Sequence, residues 1–209
     1  MPCLQREIYI DTKIYIQTGL LNYFYHVVFQ HYIRKHAYNN AEAADLWAAL
    51  NEVVGSIHGS PDDMKVGDFA DQWTAQMGFP LVTVESFNET HVKLTQERYR
   101  KNQNAKDPEK YANPKYGFKW DVPIWYQEGD SSVQLSWLKR EEPLYLQLNK
   151  PEHFIVINAG RNGFYRQNYD AVGWQKITKQ LKDNHQVGLN VNTQSTLLPD
   201  RKNPETFIP

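Results

Sequence analysis

Two histidines are the first side chains in this sequence that suggest chemistry. His31 and His36 stand five residues apart, about 140° apart around a helix of 3.6 residues per turn. A zinc pair on one helix face instead needs i, i+4 spacing, with a glutamate directly after the first histidine. None of the 7 His is followed by Glu, so solvated or partly packed imidazoles are expected and no metal ligand is assigned. Nucleophiles are placed no better. Ser56, in Gly55-Ser56-Ile57-His58-Gly59-Ser60, misses the G-x-S-x-G pattern and has no strand before it. Ser60 suits a helix cap. Gly160-Arg161-Asn162-Gly163 lacks the spacing and following helix of a phosphate loop, and a hairpin turn accounts for it. Cys3 is the one cysteine, which excludes an internal disulfide and a cysteine-only zinc site, and no catalytic thiol is expected there. Asp62-Asp63 and Glu141-Glu142 read as solvated carboxylates. Asn88-Glu89-Thr90 is an N-x-T sequon, which makes Asn88 a candidate N-glycosylation acceptor if the chain enters the secretory pathway.

The elements that must position these groups change period near residue 80. Before it the pattern is helical. A short helix is predicted around Tyr32, Ile33 and Arg34. A second opens at Asn39 as N-cap with Glu42 three residues on, carries Leu46, Ala49, Leu50, Val53 and Val54 with Trp47 beside them, and stops at Gly55. A third has Ser60 as N-cap, Pro61 at its first position and Asp62 and Asp63 in its first turn. Its apolar stripe is Val66, Phe69, Ala70, Trp73 and Met77, and Gly78 and Pro80 end it.

After residue 80, Val82-Thr83-Val84 and Val92-Lys93-Leu94-Thr95 read as a hairpin with Asn88 at its tip. The polar stretch from Arg100 to Lys115, with Pro108 and Pro114, reads as a surface loop. Strand signals return at Tyr116 to Gln127, Ser132 to Leu138, Leu144 to Leu148 and Phe154 to Asn158. Asn162-Gly163 is the favoured dipeptide for a tight hairpin turn. Short strands at this spacing suggest a β-sandwich. A last helix is capped by Asp170 and carries Trp174, Ile177 and Leu181, with an irregular tail from Val187.

Composition narrows the function classes. The chain has 209 residues, 41% hydrophobic and 13% aromatic with 6 Trp and 13 Tyr, and a formal net charge of −1. That is a folded, aromatic-rich chain without the basic stripe of a nucleic-acid binder. Ile14 to Ile33 lacks Lys, Arg, Asp and Glu but carries Gln17, Thr18, Asn22, His26, Gln30 and His31. A half-buried segment is therefore expected there, and no transmembrane segment is identified. No apolar core of a secretory signal follows the first residues.

Two segments carry a family resemblance. Asp71-Gln72-Trp73-Thr74-Ala75-Gln76-Met77-Gly78-Phe79-Pro80-Leu81-Val82-Thr83-Val84 resembles the W-x-x-Q-x-G-[FY]-P-x-[VIL]-x-V segment of the M1 family of zinc aminopeptidases. Asn158-Ala159-Gly160-Arg161-Asn162-Gly163-Phe164-Tyr165-Arg166-Gln167-Asn168-Tyr169-Asp170 resembles the family's G-[FY]-Y-R-V-N-Y-D segment. Their order and separation match as well, and Phe29 through Leu50 looks like the stretch preceding the first. The likeness runs from Phe29 to Val187 and is nearest the animal glutamyl aminopeptidase and aminopeptidase N branch.

The resemblance implies an α+β chain. Residues 29–79 would be the C-terminal helices of a thermolysin-like catalytic domain, 80–169 an antiparallel β-sandwich, and 170–187 the first helix of a C-terminal helical domain. An unaligned leader (1–28) and an irregular tail (188–209) flank them. Its structural motif residues are Trp73, Gln76, Gly78, Pro80, Gly163, Tyr165, Arg166, Asn168, Tyr169 and Asp170. Trp73 and Met77 would pack a seam between domains, and Phe164, Tyr165 and Tyr169 would close the sandwich against the next helix. Intact members cleave N-terminal residues from peptides, using zinc held by H-E-x-x-H and a downstream Glu, a G-x-M-E-N loop for the substrate amine, and a catalytic Tyr. This sequence contains neither motif. The family's Tyr lies upstream of the matched region, and Tyr15, Tyr23 and Tyr25 receive no role. The resemblance thus implies an internal slice with no catalytic, cofactor-binding or metal residues and no peptidase activity of its own. The alternatives are a non-catalytic module associating with a full-length aminopeptidase or with a second copy, or a gene-model artefact. Relatives are often plasma-membrane ectoenzymes or secreted, and no signal or anchor is read here.

Overall fold

The computed structural model describes residues 29–54, 65–102, 104 and 106–183. It divides into two compact units, one running through Met77 and including Pro114–Tyr116, the other made of Gly78–Asn113 and the chain from Gly117 onward. Cys3, Tyr15, Tyr23, Tyr25, Gly55, Ser56, His58, the Ser60-Pro61-Asp62-Asp63 helix start and the tail from Val187 lie outside the described residues.

The first unit holds α1 (Gln30–Lys35), α2 (Ala43–Val54) and α3 (Val66–Thr74). Leu46, Leu50 and Val66 form its core, with Tyr32, Trp47 and Val53 packed against them. The predicted cap at Asn39 is displaced by three residues. Glu42 precedes the first turn of α2, its carbonyl accepts from Asp45 N and Leu46 N, and its own N–H donates to the Asp45 carboxylate at 2.9 Å. Asp45 therefore plays the reach-back role of a capping box, while Asn39 N closes a turn onto His36 O. Helix α3 opens at Val66, with Lys65 extended before it. Its first N–H, unsatisfied within the helix, donates to Asn51 Oδ1 of α2 at 3.1 Å. The buried face of α3 is Val66, Phe69, Ala70 and Gln72. The predicted stripe fails at Trp73 and Met77, which are only half-buried. Gln72 takes the interior position because Asp68 accepts its amide at 3.0 Å.

The second unit contains β1 (Pro80–Ser86), β2 (His91–Arg98), β3 (Val122–Glu128), β4 (Gln134–Leu138), β5 (Leu144–Gln147), β6 (Ile155–Ile157), β7 (Arg166–Tyr169) and α4 (Ala171–Asp183). The expected β1–β2 hairpin is present, with Val84 opposite Leu94. Val82, Val84, Val92 and Leu94 are buried on one face, as period-2 patterning requires. The four-stranded sheet has the order β5-β2-β1-β7, and the three-stranded sheet β4-β3-β6. Every residue of β3 is buried. Pro123 is tolerated in this middle strand because β4 pairs with Val122 to Tyr126 while β6 pairs only with Tyr126 to Glu128. At Pro123 one edge of the strand is unpaired, where a missing N–H costs nothing.

Two expectations fail in this unit. The strands are not all antiparallel, since β7 runs parallel to β1, Leu81 beside Arg166 and Val84 beside Tyr169. Nor does Asn162-Gly163 join a hairpin: β6 and β7 belong to different sheets, and the chain crosses between them through a 3-10 turn at Ala159–Arg161. Gln96 ties the sheets together. Its Nε2 donates to Trp120 O at 2.7 Å and its Oε1 accepts from Trp120 N at 2.9 Å. Helix α4 lies against β1, β6 and β7 and buries Ile177. Among the described residues the result is a mixed α+β arrangement with two small sheets and four helices.

Candidate functional site

The motif residues of the second unit converge on two joints. The first is the entry to β1. Gly78 has a φ of +99°, and a Cβ there would sit 3.0 Å from Arg98 Nε, so both conformation and close approach demand glycine. Arg98 Nη1 donates to Asp107 Oδ2 at 2.8 Å, and Arg100 Nη2 donates to the same oxygen at 2.9 Å. The Arg98 guanidinium covers the Phe118 ring at 3.9 Å. The hydrogen bond from Arg98 holds the Asp107 carboxyl below the usual carboxylate range. Beside Gly78, Phe79 O accepts from Tyr99 N at 2.9 Å. The Phe79 ring stacks on Tyr99 at 5.3 Å and meets the edge of Phe164 at 5.2 Å. Arg166 lies over Tyr99 at 4.4 Å. The two motif segments, distant in sequence, therefore interlock as one ladder of rings closed by a cation. Phe164 contributes from a half-open position, 49% exposed, so it does not close an interior as expected.

The second joint is the crossing from β6 to α4. Asn158 adopts a left-handed conformation, φ 53°, which asparagine tolerates better than most residues. Its Oδ1 accepts from Gly163 N at 2.8 Å, and its Nδ2 donates to Gly163 O and Tyr165 O, each at 3.1 Å. This one side chain replaces the ladder a hairpin would have made. Asn158 N donates to Tyr165 Oη at 3.0 Å, and Ile157 N donates to Tyr169 Oη at 2.9 Å. Burial pushes both phenols upward, so they act as neutral hydrogen-bonding groups. A Cβ on Gly163 would lie 2.1 Å from Tyr165 Cε1. Asn168 Oδ1 accepts from Trp174 Nε1 at 3.2 Å, and Trp174 meets the Tyr169 ring edge-on at 5.1 Å.

Asp170 finishes this joint as the predicted cap of α4. One carboxylate oxygen accepts from Gly173 N and the other from Ser86 N, both at 2.7 Å. Burial alone would raise its pKa. The N–H groups of Ser86 and Gly173 outweigh that and hold it below the ordinary aspartate value.

In the first unit Gln76 is buried and donates to Gln72 O at 2.9 Å, and Trp73 tilts against Phe69 at 6.2 Å. Asp71 accepts from Lys115 Nζ at 2.7 Å and from Tyr116 Oη at 2.8 Å. The Lys115 bond is the main cause of its lowered pKa. His31 and His36 do not converge: His31 Nε2 meets Glu52 Oε2 at 2.6 Å, and Lys35 binds the other oxygen of that carboxylate, while His36 packs on the Tyr32 ring at 5.3 Å. Among the described residues no three His, Cys, Asp or Glu side chains form a group able to hold a metal ion. None of the described helices is long and apolar enough to cross a membrane. Asn158, Arg98 and Asp107 carry as much of these joints as the quoted motif residues. Only Asn158 lay within a recognised segment. The Arg98–Asp107 contact spans a loop with no local signature.

No family model matches the chain. Aminopeptidase N of Haemonchus contortus is 54% identical over 178 residues, which are 84% of this chain and 18% of that protein. The chain is homologous to a segment of the M1-family aminopeptidases. Aminopeptidase-like protein AC3.5 of Caenorhabditis elegans is 34% identical over 157 residues, 74% of this chain and 14% of its own length. Glutamyl aminopeptidase of Bos taurus is 31% identical over 159 residues, 75% and 15%. The chain thus spans between 14% and 18% of the length of these M1 aminopeptidase relatives.

Proposed function

We propose that the chain corresponds to a scaffolding segment of an M1-type aminopeptidase. In this reading residues 29–79 are the last helices of the catalytic domain, 80–169 form a β-sandwich, and 170–187 open a helical domain. The intact protein would hydrolyse N-terminal residues from peptides with zinc, and this segment would hold the domains that frame the reaction. The carrying observation is the 54% identity to an aminopeptidase N over most of this chain and a small part of that relative. The side chains present do not fit a zinc site: none of the 7 His is followed by Glu, and no ligand cluster occurs among the described residues. The polar groups of the motifs are engaged in hydrogen bonds that set backbone direction at Asn158, Tyr169 and Asp170. In this reading the chain by itself has no peptidase activity. Incubation of the purified chain with fluorogenic aminoacyl substrates, alongside metal analysis, tests this. No turnover and no stoichiometric zinc are expected, and chelator-sensitive turnover would overturn the reading.

Exposed Ile33, Tyr38, Phe164 and Val172 favour a second reading, association with a full-length aminopeptidase as a non-catalytic partner. Co-purification with such a homologue would support it, and a monodisperse monomer in the homologue's presence would count against it.

A further inference from the structure

The hairpin tip between β1 and β2 carries a motif that the scaffolding role does not use. Asn88-Glu89-Thr90 is the only N-x-S/T triplet in the 209 residues, and all three residues are exposed. Asn88 Oδ1 accepts from Thr90 N at 2.9 Å, His91 N at 2.8 Å and Thr90 Oγ1 at 3.3 Å. The hydrogen bonds of this side chain run through Oδ1, and Nδ2 has no partner among the described residues. Beside it stands an unusual surface feature. Phe87 is 58% exposed and Tyr145 of β5 is 47% exposed, and their rings meet edge to face at 4.9 Å. One ring stands in the turn just past β1 and the other on β5, the strand on the far side of β2, and together they form an exposed apolar patch that none of the described residues covers.

We propose that Asn88 is an N-glycosylation acceptor and that its first sugar covers the Phe87–Tyr145 pair. In the modification Asn88 Nδ2 loses a proton and bonds to the anomeric carbon of a lipid-pyrophosphate-linked oligosaccharide, and the lipid pyrophosphate departs. The attached pyranose carries an apolar C–H face, the complement of the electron-rich face of an aromatic ring. The occupant of the patch is thus covalently delivered by the residue next to Phe87. This inference is independent of any peptidase role.

The test translates the full chain behind an added signal sequence in the presence of endoplasmic-reticulum microsomes, then purifies the same product secreted from insect cells. Asn88 should carry a hexosamine-based glycan by mass spectrometry. Asn88→Gln and Thr90→Ala should be bare, and Thr90→Ser should remain modified. A bare Asn88 in microsome-imported chain overturns the site. The covering is tested separately: enzymatic removal of the glycan should lower the Tm by about 2–4 °C, a shift readily measured for a chain of this size. That difference should vanish in Phe87→Ser and Tyr145→Ser. Equal Tm with and without the glycan in the unsubstituted chain overturns the covering.

Discussion

Tyr169→Phe removes a hydroxyl that accepts from buried Ile157 N and donates to half-buried Gln167 Oε1 at 3.1 Å at the sheet-to-helix joint. Gly129 N donates to Phe154 O, which fixes the alternation of the β3–β6 ladder so that Ile157 N–H faces away from β3. Ile157 is fully buried, and Tyr169 Oη supplies its acceptor at 2.9 Å. The substitution keeps the ring and its edge contact with Trp174 at 5.1 Å, so packing changes little. What changes is that a buried amide is left without a partner, at a cost of about 1–3 kcal/mol. Taking about 2 kcal/mol, and about 2–4 °C per kcal/mol for a chain of this size, the Tm should fall by roughly 4–8 °C. Thermal and urea unfolding measure the loss, and hydrogen exchange should show selective loss of protection at the Ile157 amide. Tyr165→Phe should act in the same way on Asn158 N, which donates at 3.0 Å. Because the two amides are adjacent, the double variant should depart from additivity. A loss below about 0.5 kcal/mol with the Ile157 amide still protected would refute the reasoning, since the amide would then have another acceptor.

Other outcomes follow from the same joints. Gly163→Ala places a Cβ 2.1 Å from a Tyr165 ring that Asn158 N holds in place, and should cost about 1–3 kcal/mol in unfolding experiments. Asp170→Ala removes acceptors from Ser86 N and Gly173 N and should destabilise by about 1–2 kcal/mol at pH 7. The Asp170 pKa is depressed on folding. Its contribution is therefore complete above the unfolded value near 3.9 and lost as pH falls through the lower folded value. The stability gap between the native chain and Asp170→Asn should accordingly shrink on acidification from about pH 5 to pH 2, as followed by Tm.

The local features were legible and the long-range ones were not. Alternation of Val82, Val84, Val92 and Leu94 announced a hairpin because one face alone is buried. Asp170 announced a cap because its partner Gly173 is three residues away. Asn39 misled because Asp45, nearer the first turn, offered a charged acceptor. Asn162-Gly163 misled for a different reason: a turn-forming dipeptide reports local backbone freedom, not which sheet the following strand joins. The crossing depends on Asn158 clasping Gly163 and Tyr165. The Phe79–Tyr99–Arg166 ladder needs β7 to lie beside β1, and no local pattern encodes that neighbour.

That parallel pairing carries a consequence for how the protein is made. β1 is bordered by β2, its immediate successor, and by β7, the last of the described strands. Ser86 N and the Asp170 carboxylate meet across 84 residues of chain. During translation, β1 and β2 can pair at once, but the free edge of β1 must wait for the whole intervening segment to leave the ribosome. Completion of the sheet is thus a late, loop-closing event. Until then an unpaired β1 edge is available to other chains, so a ribosome stalled short of Tyr169 would release a chain primed for edge-to-edge aggregation.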